Sequence, residues 1–96
     1  MRPSESLHLN REAIKRFALA HRMKRVWVFG SVARGDDGES SDVDLLVEPA
    51  PGATLFDLGA LQQHASKALR FKVDVVEVGA LPAAQRDRIL AEAIAL

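Results

Sequence analysis

VWVFGSVARGDDGESSDVDLLV, residues Val26 to Val47, holds two apolar runs, a glycine–serine break between them and two closely spaced aspartates. The first run, Val26-Trp27-Val28-Phe29, is long enough for a buried strand. The second, Asp42-Val43-Asp44-Leu45-Leu46-Val47, alternates as a strand does, so Asp42 and Asp44 leave one face while Val43, Leu45 and Val47 leave the other. At a rise of about 3.3 Å per residue the two carboxylates start about 6.6 Å apart and can converge on one point. Acids held that close repel one another unless a cation lies between them. Oxygen-only ligands suit Mg²⁺, which is usually shared with substrate phosphates. The stretch therefore reads as a metal-dependent phosphate site, with Asp42 and Asp44 as ligands.

The break between the runs supports the same chemistry. Gly30 lets a ligand approach the backbone and lets the chain take positive φ. Ser31 offers a hydroxyl and a backbone N–H at the end of a strand, and Val32-Ala33-Arg34 can begin a helical turn whose first N–H groups attract phosphate. Arg34 adds a planar cation suited to phosphate. A plain strand–turn–strand with solvated acids accounts for either half alone. Both halves together, each preceded by strand residues, point to a site.

A third acid comes from strand parity. Phe71 to Val78 alternates, with Phe71, Val73 and Val75 on one face and Lys72, Asp74 and Val76 on the other. If the apolar face is the core face, as in the Asp42–Val47 strand, Asp74 joins Asp42 and Asp44, and Glu77 has the wrong parity.

Gly30-Ser31-Val32-Ala33-Arg34-Gly35-Asp36 followed by Ser41-Asp42-Val43-Asp44-Leu45-Leu46-Val47 resembles the signature of the minimal nucleotidyltransferases of the polymerase-beta superfamily. The likeness extends to Val73-Asp74-Val75-Val76 and to the tail Arg88-Ile89-Leu90-Ala91-Glu92-Ala93. It implies ATP as substrate, two Mg²⁺ ions, and transfer of AMP to an acceptor hydroxyl. In that scheme Asp42 and Asp44 bridge the ions, and Asp74 holds the second ion and can take the acceptor proton. Gly30 and Ser31 grip the β/γ-phosphates, and Arg34 either assists there or braces the loop. Many members are antitoxins paired with a small helical HEPN ribonuclease toxin, so the resemblance implies such a partner, modified on a tyrosine. Three rivals are carried beside it: an antitoxin that neutralises by contact, a small-molecule nucleotidyltransferase acting as an oligomer, and a nucleotide-binding regulatory module.

Around this centre the expected chain is simple. Residues 1–9 are weakly determined, with fraying expected at the very start. Asn10 is placed to cap a helix with the stripe Ala13, Ile14, Phe17, Ala18 and His21, ending near Met23. His21 on the stripe's edge reads as a packed side chain rather than a ligand. Asp36, Asp37 and Glu39, in a loop with two glycines, read as solvated. Glu48-Pro49-Ala50-Pro51-Gly52 ends the second strand. Thr54 and Asp57 form a capping pattern for a helix striped by Leu55, Leu58, Leu61, Ala65 and Leu69, within which Gly59 suggests a close packing contact. A last helix begins near Pro82, with the stripe Ile89, Leu90, Ala93 and Ile94. The expected fold is α+β over residues 1–96 as one domain: a small mixed sheet of three or four strands, helices packed on one face, and an open acidic face.

Bulk properties bound the rest. The 96 residues, 48% hydrophobic and 27% charged, suit one modest core. With no cysteine, disulfides and thiolate zinc sites are excluded. No apolar run approaches a membrane span and the polar start lacks a signal-peptide apolar segment, so the chain reads as cytoplasmic. Net charge is zero but uneven: residues 1–30 carry seven Lys/Arg against two Glu, and residues 31–64 one Arg against seven Asp/Glu. The acidic middle suits divalent cations. The basic start lacks the interleaved aromatics of a nucleic-acid surface, so no direct nucleic-acid binding is expected. No acceptor-binding domain is evident, so the acceptor surface is expected from a partner or a second subunit, in a homo- or hetero-oligomer.

Overall fold

The computed structural model describes all 96 residues. The first apolar run extends backwards to form β1, Met23–Phe29, and the second forms β2, Val43–Pro49. These pair antiparallel with Val26 opposite Val47, Val28 opposite Leu45 and Phe29 opposite Asp44. After β2, the helix α4 (Leu55–Leu69) returns the chain so that β3 (Val73–Glu77) lies parallel to β2. β4, Ile94–Ala95, pairs antiparallel with the other edge of β1, giving the order β3-β2-β1-β4.

One face of this sheet carries the core. Val26, Val28, Val43, Leu45, Val47 and Val73 are buried against Ile14 and Ala18 of α2 (Arg11–Ala20) and Leu61, Ala65 and Leu69 of α4. The alternation read from the sequence thus fixes which side of each strand meets the helices. Leu46 points to the opposite face yet is fully buried, and it lies outside that cluster. A 3₁₀ turn, Val78–Ala80, lies against β2, and α5 (Ala83–Glu92) lies against β1 and α3 (Gly30–Arg34). Arg86 ties this cover together, donating to the carbonyls of Val78 (3.2 Å) and Leu81 (3.0 Å). The second face therefore buries Leu46 but leaves its aspartates half-exposed.

Several local expectations change. The weakly determined start becomes regular from residue 3: it forms α1, Pro3–Leu9, with Pro3 in its first turn and Glu5 accepting from the Arg2 N–H at 2.8 Å. Ser6 donates its hydroxyl to the Leu69 carbonyl at 2.7 Å, which docks α1 on the end of α4. Asn10 caps nothing with its side chain; its amide donates to the Ser6 carbonyl at 2.8 Å. α2 stops at Ala20 rather than Met23, and His21 stacks on His64 with ring centroids 5.2 Å apart. Asp57 does accept the Thr54 N–H at 2.9 Å, but Leu55 and Phe56 are 82% and 88% exposed, so burial along α4 begins a turn later than its stripe implied. A Cβ at Gly59 would meet nothing, so that glycine marks no close packing. α5 ends at Glu92, and Ile94 leaves the helical stripe to pair with Val28. No helix is long and apolar enough to cross a membrane.

Candidate active site

Asp44 sits at the centre. It lies opposite Phe29, the last residue of β1, and beside Asp74 in the parallel β2–β3 register. Neighbours in register share a face, so Asp74 projects on the same side as Asp44. Glu77 pairs with Val47, a core-facing residue, and leaves from the other side. Asp42 stands one residue before β2, two from Asp44, with Lys72 Nζ 3.8 Å from its carboxylate. All three aspartates are partly exposed.

The electrostatics follow from this crowding. Burial raises the Asp44 pKa most, and the charges of Asp74 and then Asp42 raise it further, against smaller opposing effects of Arg34 and Lys72. An acid destabilised by its own neighbours is one that a cation would relieve. No three carboxylates or imidazoles lie close enough to enclose an ion by themselves. That suits Mg²⁺, which is commonly held by one or two carboxylates, with water and substrate phosphates completing its shell.

Gly30, which follows β1 and opens α3, has φ +73°, a conformation that favours glycine. A Cβ there would stand 2.5 Å from Asp44 Oδ2. The close approach foreseen at this glycine is thus made by the central carboxylate. Ser31, half-buried, follows in α3, whose last residue is Arg34 and whose C-cap is Gly35 in the left-handed region at φ +79°. Arg34 Nε lies 3.3 Å from Asp36 Oδ2 and its Nη1 3.4 Å from Glu92 Oε1. The Asp36 hydrogen bond, followed by that residue's charge, raises the Arg34 pKa. Gly30, Arg34 and Glu92, with Phe29, Arg88 and Ile89, line a cavity of about 370 Å³.

Two residues near the site differ from expectation. Asp37, read as solvated, is 4% exposed and accepts the Ser4 N–H at 2.8 Å. Burial works to raise its pKa, but the Ser4 hydrogen bonds and the Arg2 charge hold it below the usual carboxylate range. It fastens the loop after α3 to α1. Glu92 is the residue that sequence reasoning misses, although it lies in the tail that carries part of the resemblance. The one signal for it is its place within the stripe of the last helix, and a stripe does not say where the helix docks.

The comparisons agree with this fold. The nucleotidyltransferase domain model matches residues 10–96. A protein of Methanocaldococcus jannaschii, provisionally named a protein adenylyltransferase, is 41% identical over 76 residues, covering 79% of this chain and 82% of its own. A second protein of that organism with the same provisional name is 32% identical over 73 residues, covering 76% and 74%. A solved structure described as a minimal nucleotidyltransferase superposes with a TM-score of 0.89 at 42% identity, over 97% of this chain and 95% of its own. A toxin–antitoxin complex with AMP-PNP shares the fold, with a TM-score of 0.77 at 20% identity over 90% and 71%. With three acids on one sheet face beside a glycine–serine turn, and a family match over nearly its whole length, the chain belongs to the nucleotidyltransferase domain family as one of its minimal members.

Proposed function

We propose that this nucleotidyltransferase moves AMP from ATP to a tyrosine hydroxyl of a small helical HEPN toxin and thereby acts as its antitoxin. The observation that carries the reading is the crowding of Asp74 and Asp42 around Asp44, whose carboxylate in turn abuts Gly30. Relatives provisionally named protein adenylyltransferases favour a protein acceptor. A structural neighbour described as an antitoxin in complex with a tri-AMPylated HEPN toxin of Shewanella oneidensis suggests which protein that is.

Bound Mg²⁺, held by Asp42, Asp44 and Asp74 with phosphate oxygens, would supply charge neutralisation and Lewis acidity at the reacting phosphate. Gly30 and Ser31 would hold the β- and γ-phosphates, and Arg34 would face the same charge from the end of α3. Asp74 would take the proton of the acceptor hydroxyl as its oxygen bonds to the α-phosphorus. The bond from that phosphorus to the pyrophosphate oxygen breaks, and pyrophosphate leaves with the electron pair.

The test is intact-protein mass spectrometry of the purified toxin after incubation with ATP, Mg²⁺ and either the wild type or the double variant Asp42→Asn, Asp44→Asn. The wild type should add the mass of AMP. The variant should still bind the toxin, because its core residues Val43, Leu45 and Val47 are untouched, but should add nothing. No mass increase with the wild type, together with full protection of cells by the variant, would replace catalysis by neutralisation through contact.

A further inference from the structure

Glu92, the last residue of α5, reaches back to the glycine–serine turn. Its Oε1 accepts the Gly30 N–H at 3.2 Å, and its two oxygens lie 3.4 and 3.5 Å from Arg34 Nη1. One carboxylate thus engages a backbone donor and a guanidinium, the two kinds of group that most favour an anion. Both line the cavity of about 370 Å³ described above, and Gly30 also abuts Asp44. Arg88, one helical turn before Glu92, lines the same cavity. An anion site with two arginines is therefore assembled at the edge of the acid cluster, and its occupant is a side chain of the protein itself.

The strength of that contact decides what it can do. The Arg34 and Glu92 side chains are 51% and 35% exposed. An ion pair this open contributes little to stability and is readily exchanged. A polyphosphate brings several negative oxygens to the same donors, so it outcompetes one carboxylate readily. We propose that Glu92 is a resident anion that the phosphates of the nucleotide displace, so that residue 92 sets the affinity of the site and the end of α5 is released on binding. This inference rests on the nucleotidyltransferase reading of the site.

Glu92→Gln keeps an oxygen able to accept the Gly30 N–H but removes the competing charge. Calorimetry with magnesium-free tripolyphosphate should show Glu92→Gln binding about two- to fivefold tighter than the wild type. In the transfer reaction KM for ATP should fall by the same factor with kcat little changed. Equal or weaker tripolyphosphate binding by a folded variant would overturn displacement and make Glu92 a brace for the turn. Should the variant not fold, the wild type decides by NMR. The Gly30 amide and Glu92 carboxyl-carbon resonances should both shift at saturating tripolyphosphate, and unchanged resonances would overturn the proposal. Tighter binding by the variant with no AMP transfer by either protein leaves displacement standing and removes only the transferase reading. Transfer by the wild type with unchanged tripolyphosphate affinity in the variant removes displacement alone.

Discussion

Gly30 carries two constraints that no other residue meets together. Its φ of +73° lies in the left-handed region, which costs a residue with a Cβ about 1–2 kcal/mol. Its α-carbon also faces Asp44 Oδ2 so closely that a methyl group would displace the carboxylate. Gly30→Ala should therefore lower the melting temperature by about 5–10 °C while leaving the protein folded. AMP transfer should fall much further than that loss accounts for, because the central acid is pushed from its place. Scanning calorimetry beside a transfer assay checks both; full activity in a folded variant would mean that Asp44 need not hold this position. The need for glycine at the turn was readable in the sequence. Its neighbour was not, because Asp44 meets Gly30 only through the β1–β2 register.

Between elements, register decides function, and the sequence carries register where one face is apolar. The alternation in β2 and β3 was enough to put Asp74 with Asp44 and Glu77 with the core-facing Val47, as the parallel pairing does. Asp74→Asn should reduce transfer by at least about 100-fold, the scale of lost general-base assistance, while Glu77→Gln leaves it nearly intact. A larger loss from Glu77→Gln would place the chemistry on the other side of the strand. The expectations that failed concern docking between distant segments. A loop reading Gly-Asp-Asp-Gly-Glu looks solvated, and Asp37 is buried only because α1 folds over it from 33 positions away. The same holds for α1 itself, which is marginal as an isolated seven-residue helix and is held by the burial of Leu7 in the core and by the Ser6 bond to Leu69. Asp37→Ala leaves the Ser4 N–H without its acceptor and should cost about 1–3 kcal/mol, read from urea unfolding. Hydrogen exchange should quicken in α1 first. Unchanged stability would mean that water serves Ser4 as well as the carboxylate does.

At the scale of the whole molecule, the sheet divides its two faces between stability and chemistry. One face is packed by α2 and α4, and nearly all the buried apolar side chains belong to it. The other gathers Asp42, Asp44 and Asp74 beside the glycine–serine turn, where the end of α5 docks through Glu92. The sequence made the first face plain, since hydrophobic period is its main signal. The end of the chain was less legible: α5 has no fully buried residue, and β4 is two residues long, so neither has a strong period of its own. What the division implies is a crowded acid cluster whose mutual repulsion a cation arriving with phosphates would relieve. Isothermal titration of ATP into the wild-type protein, once with Mg²⁺ and once with EDTA, tests that most directly. Binding at least about tenfold tighter with Mg²⁺ is the result predicted, because the metal relieves the repulsion around Asp44 and adds phosphate ligands; equal affinity in the two titrations would contradict a metal-dependent site.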